Sequence, residues 1–271
     1  MTNRIMIVGC PRSGTTILQT ILASHPEVLG IFETHFYCAL CSSNKWARKL
    51  GLTPKKAIKI LNEIQREYGC HQNQKIRLLS SKYASSLFVK TLDNATSNLN
   101  KKVWVEKTPQ HLFYIDYIKR LTENIKFIHI ERKPESIVSS LYHASLKYSH
   151  TWPYNSKEKS FALWQESYLA HQKYRGLDDH FFITLNELIE DPSNQLRKIL
   201  NFMKIEVVDG LEHRQNKGFR TITEKSKEWL YDSQKPLLKE ERCRFKDVFD
   251  IEERKHLSQW IRDTISRSNV I

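Results

Sequence analysis

Gly9-Cys10-Pro11-Arg12-Ser13-Gly14-Thr15-Thr16 follows directly on the apolar run Ile5-Met6-Ile7-Val8. A short apolar run passing through a glycine-bounded loop into hydroxyl residues reads as strand, turn and helix N-terminus. The octet nearly matches the nucleotide-binding loop G-x-x-x-x-G-K-[ST], with Gly9, Gly14 and Thr16 in register. Thr15 stands where that pattern has lysine, and Arg12 appears three residues earlier. The start of a helix favours an anion, because its first-turn N–H groups lack backbone partners and its dipole leaves that end partly positive. Gly9 and Gly14 permit a tight turn and close approach, Ser13, Thr15 and Thr16 add hydroxyl donors, and Arg12 adds a planar fork suited to tetrahedral oxyanions. The bland alternative is an ordinary strand-to-helix turn rich in small residues.

Outward from this loop, short β-rich runs alternate with helical patterns, which predicts a parallel sheet flanked by helices, an α/β fold. Strands are expected at 4–8, 102–106, 126–130 and 180–184, with a shorter one at 28–32. Helices are expected at 16–24, 110–122, 135–146 and, after Asp191-Pro192, at 193–202. From 34 to about 100 the chain is helical in pattern, polar and basic, and this insertion is expected to help wall a binding site, together with Tyr148 to Tyr154. From about Thr223 the pattern is of amphipathic helices, the last over 251–265. No Pro/Gly/Ser-rich linker divides the chain, so 1–271 reads as one domain.

The 271 residues are 40% apolar and 11% aromatic, which excludes disordered and fibrous classes. No run reaches the roughly 18 apolar residues of a membrane span. Met1-Thr2-Asn3-Arg4 passes straight into the first strand without a secretory pattern, so a cytoplasmic location is expected. Five cysteines, an odd number, point to reduced thiols; Cys38-Ala-Leu-Cys41 lacks a second C-x-x-C for a zinc site, even with Cys70-His71 added. The charge of +13 is dispersed rather than gathered in an arm, and no nucleic-acid signature accompanies it. An anionic small molecule in a basic cleft suits that charge; a scaffold for polyanions is the non-enzymatic alternative.

ATP chemistry fits the loop poorly, because the lysine is absent and the strand ends carry Glu33, Glu106-Lys107 and Glu131-Arg132 rather than a clear aspartate. A kinase or NTPase of the phosphate-loop type stays as the runner-up. Pro11-Arg12-Ser13-Gly14-Thr15-Thr16 instead resembles the 5′-phosphosulfate loop of the sulfotransferase superfamily. It is similar to the tyrosylprotein and bacterial branches, which carry Arg where the cytosolic aryl and steroid enzymes carry Lys. The resemblance implies 3′-phosphoadenosine 5′-phosphosulfate (PAPS) as co-substrate, PAP as product, and no metal. Arg132-Lys133-Pro134, with Ser140 eight positions beyond Arg132, resembles the family's 3′-phosphate site, with Ser136 and Ser139 as alternative hydroxyls. Glu33, 21 residues after Arg12, matches the spacing of the catalytic glutamate in tyrosylprotein-type enzymes and is the expected general base. His35 is its rival, since strand alternation would put both on one face; a surface Glu capping the next helix is the non-catalytic alternative. Lys107, at a strand exit, resembles the family lysine that stabilises the departing bridge oxygen, while Glu106 is expected to face away from it.

Ser226-Lys227-Glu228-Trp229 is similar to a stretch whose lysine approaches the cofactor, which makes Lys227 an expected contact. Arg214 to Gly218 loosely resembles another such segment. Trp164, Trp229 and Trp260 read as core rather than as adenine-stacking rings. The resemblance concerns donor and catalysis, and it leaves the acceptor open. A small molecule bearing a hydroxyl or amine is expected, without nucleic acid or membrane as partner; a tyrosylprotein acceptor is the alternative, and a homodimer stays open.

Overall fold

A computed structural model describes residues 2–41, 51–68, 80–148, 153–222, 241 and 243–268. Five strands, β1 (Asn3–Val8), β2 (Val28–Ile31), β3 (Val103–Lys107), β4 (Ile125–Glu131) and β5 (His180–Thr184), form one sheet in the order β2-β3-β1-β4-β5. Every pairing is parallel, from Ile5 opposite Val105 on one side to Met6 opposite Phe127 on the other. Strands buried on both faces need apolar side chains at every position, which is why Ile5-Met6-Ile7-Val8 shows no alternation and is fully buried.

The two parities of β1 feed two different layers. Ile5 and Ile7 join Leu18, Ile21 and Leu22 of α1 (Thr15–Ala23), and Ile199 and Leu200 of a later helix. Met6 and Val8 join Phe36, Tyr37, Phe88 and Trp104 on the other face. That second layer comes largely from the insertion, whose described part contains α2 (Phe36–Leu40), α3 (Lys55–Glu67) and α4 (Ser81–Asn98). The insertion breaks the βα rhythm in sequence, yet in space it is the hydrophobic cover of one sheet face.

After β3 come a 3₁₀ turn (Pro109–Tyr114) and α5 (Ile115–Leu121); after β4 come α6 (Pro134–Lys147) and α7 (Lys157–Gln172). After β5 come α8 (Leu185–Glu190), absent from the sequence pattern, and α9 (Pro192–Met203). Thr184 and Glu187 close a reciprocal capping box at α8, and Asp191 caps α9 ahead of Pro192. A short 3₁₀ turn (Leu211–His213) leads to α10 (Gln215–Ile222), and the chain ends in α11 (Phe245–Val248) and α12 (Ile251–Ser268). Gly218 of α10 lies against α1 so closely that a Cβ there would fall 1.8 Å from Thr20 O. Trp164 is buried with Phe161 and Leu257 between α6, α7 and α12, and Trp260 packs on the same cluster. No helix among the described residues is long and apolar enough to cross a membrane.

Chain direction across the sheet changes at β1. From β1 the chain leaves through α1 to β2 on one side, whereas from β4 it leaves through α6 and α7 to β5 on the other. In open parallel sheets such a reversal leaves a crevice outside the carboxyl ends of the strands. The 9–14 loop and residues 131–134 border that crevice.

Candidate active site

The loop after β1 has the shape its glycines predict. A Cβ on Gly9 would sit 2.5 Å from Ile130 O, a backbone atom that cannot give way. Gly14 has φ +99, where side chains are strained. Arg12 is left-handed as well, at φ 75, which an arginine adopts only under constraint. The constraint is visible: Arg132 donates from Nη1 to the Arg12 carbonyl at 3.0 Å, and Arg12 donates from Nε to Ser140 Oγ at 3.1 Å. Arg132 also donates from Nε to Glu241 at 2.7 Å. Arg12, Arg132 and Ser140 are therefore one hydrogen-bonded group spanning the β1 and β4 exits, rather than two groups set apart.

Pro11, Ser13 and Thr15 are buried, and Gly14 and Thr16 are half-buried. Ser13 Oγ is buried without a hydrogen-bond partner among the described residues. No side chain caps α1, so its first-turn N–H groups open toward the loop. Of the three serines on the first turns of α6, Ser139 gives its hydroxyl to Glu135 O at 2.7 Å, Ser136 Oγ is buried without a partner among the described residues, and Ser140 receives Arg12. A glycine-tight cradle, an orphaned buried hydroxyl and two guanidinium groups suit a ligand with clustered negative charge.

The second half of the site lies at the β2 and β3 exits. Lys107, only 3% exposed, donates from Nζ to Glu33 Oε2 at 2.7 Å. His35 Nε2 stands 3.3 Å from Glu33 Oε1. The carboxylate is thus held between a buried ammonium and an imidazole instead of capping α2. His35 meets Glu33 for a reason other than strand alternation: β2 stops at Ile31, and His35 turns into α2 with φ 51.

Glu106 faces away from Lys107, as alternation requires, and is fully buried. Burial would raise its pKa, but His111 at 3.1 Å and the hydroxyls of Thr108 and Thr34 outweigh burial and hold it down at about 2. This group escaped sequence reading, and a lone glutamate inside an apolar strand was its only trace. Cys38, one of the thiols expected to be reduced, lies on the first turns of α2. Burial works against its thiolate, yet hydrogen bonds to His111 and His35 bring the thiol down to about 7. Among the described residues, no set of three or more His, Cys, Asp or Glu is arranged to hold a metal ion.

Beyond the β4 and β5 exits a cavity of about 370 Å³ opens beside Arg132, walled by Lys133, Trp164, His171, Thr184 and Asn186 among others. Arg214 and Lys217 are exposed on the flank of α1. Lys227, Trp229, Cys70 and His71, and most of the stretch between Tyr148 and Tyr154, lie outside the described residues.

A model of the Sulfotransferase family matches residues 4–209, which covers every strand and the whole of this site apart from Glu241. The chain belongs to the sulfotransferase family. Solved structures agree on the fold. The sulfotransferase domain of the Synechococcus PCC 7002 olefin synthase superposes with a TM-score of 0.61 at 16% identity, over 97% of this chain and 96% of that one. The sulfotransferase domain from the curacin biosynthetic pathway gives the same score and identity, over 97% and 98%. A mouse sulfotransferase complexed with PAP gives 0.56 at 13% identity, over 99% and 85%. No curated protein matches by sequence. This sulfotransferase is thus a transferase built on the parallel sheet expected from its strand pattern.

Proposed function

We propose that this sulfotransferase moves a sulfuryl group from PAPS to the hydroxyl or amine of a small-molecule acceptor, by direct in-line transfer and without a metal. The observation that carries the reading is the contact between Lys107 Nζ and Glu33 Oε2 at 2.7 Å, across the crevice from the 9–14 loop. PAPS, when bound, supplies an activated sulfuryl group on a phosphate leaving group. Arg12, Ser13, Thr15, Thr16 and the loop amides from Pro11 onward would hold the 5′-phosphosulfate. Arg132 and Ser140 would hold the 3′-phosphate, and Arg12 can serve both ends because its Nε already lies at Ser140. Lys227 stays a candidate donor contact.

Glu33 takes the acceptor's proton, and Lys107 places a positive charge where the departing oxygen becomes negative. His35, 3.3 Å from one Glu33 oxygen, supports the reading of Glu33 as base and His35 as the partner that orients it. A sulfuryl group carries less charge than a phosphoryl group, and guanidinium, ammonium and backbone N–H donors suffice to stabilise its transfer. Lys107 is buried at 3% side-chain exposure while Glu33 keeps 24%, which leaves the carboxylate within reach of an acceptor.

Replacing Glu33 by Gln tests the assignment. Turnover should drop by about 10²–10⁴-fold with PAP affinity retained. The assay is ³⁵S transfer from labelled PAPS to a panel of phenols, alcohols and amines. Near-normal turnover by the variant removes Glu33 from the chemistry.

A further inference from the structure

Four consecutive backbone amides between Glu33 and the first turn of α2 converge on one buried carboxylate. Thr34 N donates to Glu106 Oε1 at 3.2 Å. His35 N donates to Thr108 Oγ1 at 3.1 Å, and Thr108 passes its own hydrogen to Glu106 Oε1 at 2.6 Å. Phe36 N donates to Thr34 Oγ1 at 3.2 Å, and that hydroxyl donates to Glu106 Oε1 at 2.8 Å. Tyr37 N donates to His111 Nε2 at 3.2 Å, and His111 Nδ1 meets Glu106 Oε2 at 3.1 Å.

These are the amides that a helix start leaves without intrahelical partners. His35, the residue at the α2 start, is left-handed and its side chain caps none of them; the one local acceptor is Thr34 Oγ1, which itself donates to Glu106. Such a conformation persists in a residue with a β-carbon only where its surroundings over-determine it. Here the surroundings are Glu106 and the three side chains it organises. A carboxylate fits the task because it offers acceptors only, enough for two hydroxyls, one amide and one imidazole N–H. A glutamine would turn an N–H₂ group on donors that have nowhere else to go.

We propose that Glu106 is a positioning residue of the reaction: it fixes the Glu33-Thr34-His35 turn, and so sets Glu33 between Lys107 and His35. The inference rests on Glu33 acting as the base, and the two claims fail differently. Glu106 itself touches neither reactant nor base. It stands one residue before Lys107 on β3, so a single strand supplies the ammonium on one face and the brace for its carboxylate partner on the other.

The test uses the full chain with Glu106→Gln, Thr108→Val, Glu33→Gln and the double variants. Hydrogen exchange is read first, because it requires no turnover. Amides 34–37 should exchange at least about tenfold faster in Glu106→Gln and Thr108→Val, and at the wild-type rate in Glu33→Gln. Turnover is then read with whichever acceptor the panel identifies, and independently as release of ³⁵S-sulfate to water. Glu106→Gln should lower kcat about 10–100-fold with PAP affinity within about twofold of wild type. Added to Glu33→Gln, it should cost less than about threefold more, because no base remains to be positioned.

Thr108→Val leaves the buried charge in place and keeps the test alive if Glu106→Gln does not fold; its kcat should fall about 3–10-fold. The acid limb of its kcat–pH profile should also move to higher pH, as Glu33 loses close contact with a cation. A fold merely damaged lowers the profile without moving that limb. Unchanged exchange at 34–37, a stationary limb, or full additivity with Glu33→Gln overturns the inference while leaving the base assignment intact. If Glu33→Gln alone turns over normally, the base assignment fails, and the positioning role falls with it.

Discussion

Arg132 works in two directions at once. It secures the left-handed Arg12 through that residue's carbonyl and is itself held by Glu241, so its guanidinium is set before any ligand arrives. Arg132→Ala should therefore weaken PAP by about 10–100-fold in a calorimetric titration, the worth of a charge-assisted bond lost from a prearranged site. An unchanged Kd would take Arg132 out of the donor site. At this scale the sequence was legible where a residue type stood at a strand exit within a recognisable spacing: Arg12, Glu33, Lys107, Arg132 and Ser140 all lie on the crevice. It was silent about the partners of Glu106, because Thr34, Thr108 and His111 meet only after two strand exits and a 3₁₀ turn are brought together. It was silent as well about the positive φ of Arg12 and His35, since neither residue advertises that conformation.

The elements carry a chemistry of their own where α7 crosses β4 and β5. His129 on β4 meets His171 Nδ1 on α7 at 2.9 Å and His180 Nδ1 on β5 at 2.7 Å. Burial, reinforced at His129 by the neighbouring rings, lowers all three below the ordinary 6.5, His171 to about 3 and His180 to about 4. The rings are neutral in the folded chain near pH 5, whereas the unfolded chain binds protons below about pH 6.5. Stability contributed by these groups is then complete above pH 6.5 and is lost as pH falls toward 4, by up to about 1.4 kcal/mol per pH unit for each ring. Urea titrations at pH 7.5, 6, 5 and 4 should show that decline, and NMR should find three imidazoles still neutral at pH 5. Titration of these rings near 6.5 in the folded protein would contradict the packing described. Elements were the easiest level to read, because buried parallel strands need unbroken apolar runs and these stand out between helical patterns. The exception has a physical cause: α8 is a short helix fixed by its capping box.

For the molecule as a whole, strand order was the part that sequence left hidden. Parallel neighbours are joined by long crossovers, so nothing local records that β3 slots between β2 and β1. That order is what collects the proposed site residues at one edge, and a single nucleotide should tie the edge together. PAP at 100 times its Kd should raise the unfolding free energy by about 2.7 kcal/mol, read as an upward shift of the melting temperature. ATP with Mg²⁺ at the same concentration should raise it much less, since Thr15 replaces the lysine that would neutralise its outer phosphates. An equal shift with ATP would redirect attention to phosphoryl donors.

The neighbours Glu106 and Lys107 give β3 a safeguard against misthreading. Slippage by one position would turn each to the other's face, sending an ammonium toward Tyr37 and Phe88 and a carboxylate toward the anion cradle. Each error is electrostatically forbidding in its new surroundings. A wrongly registered chain would thus be unstable, and the charges proposed to serve turnover also proofread assembly.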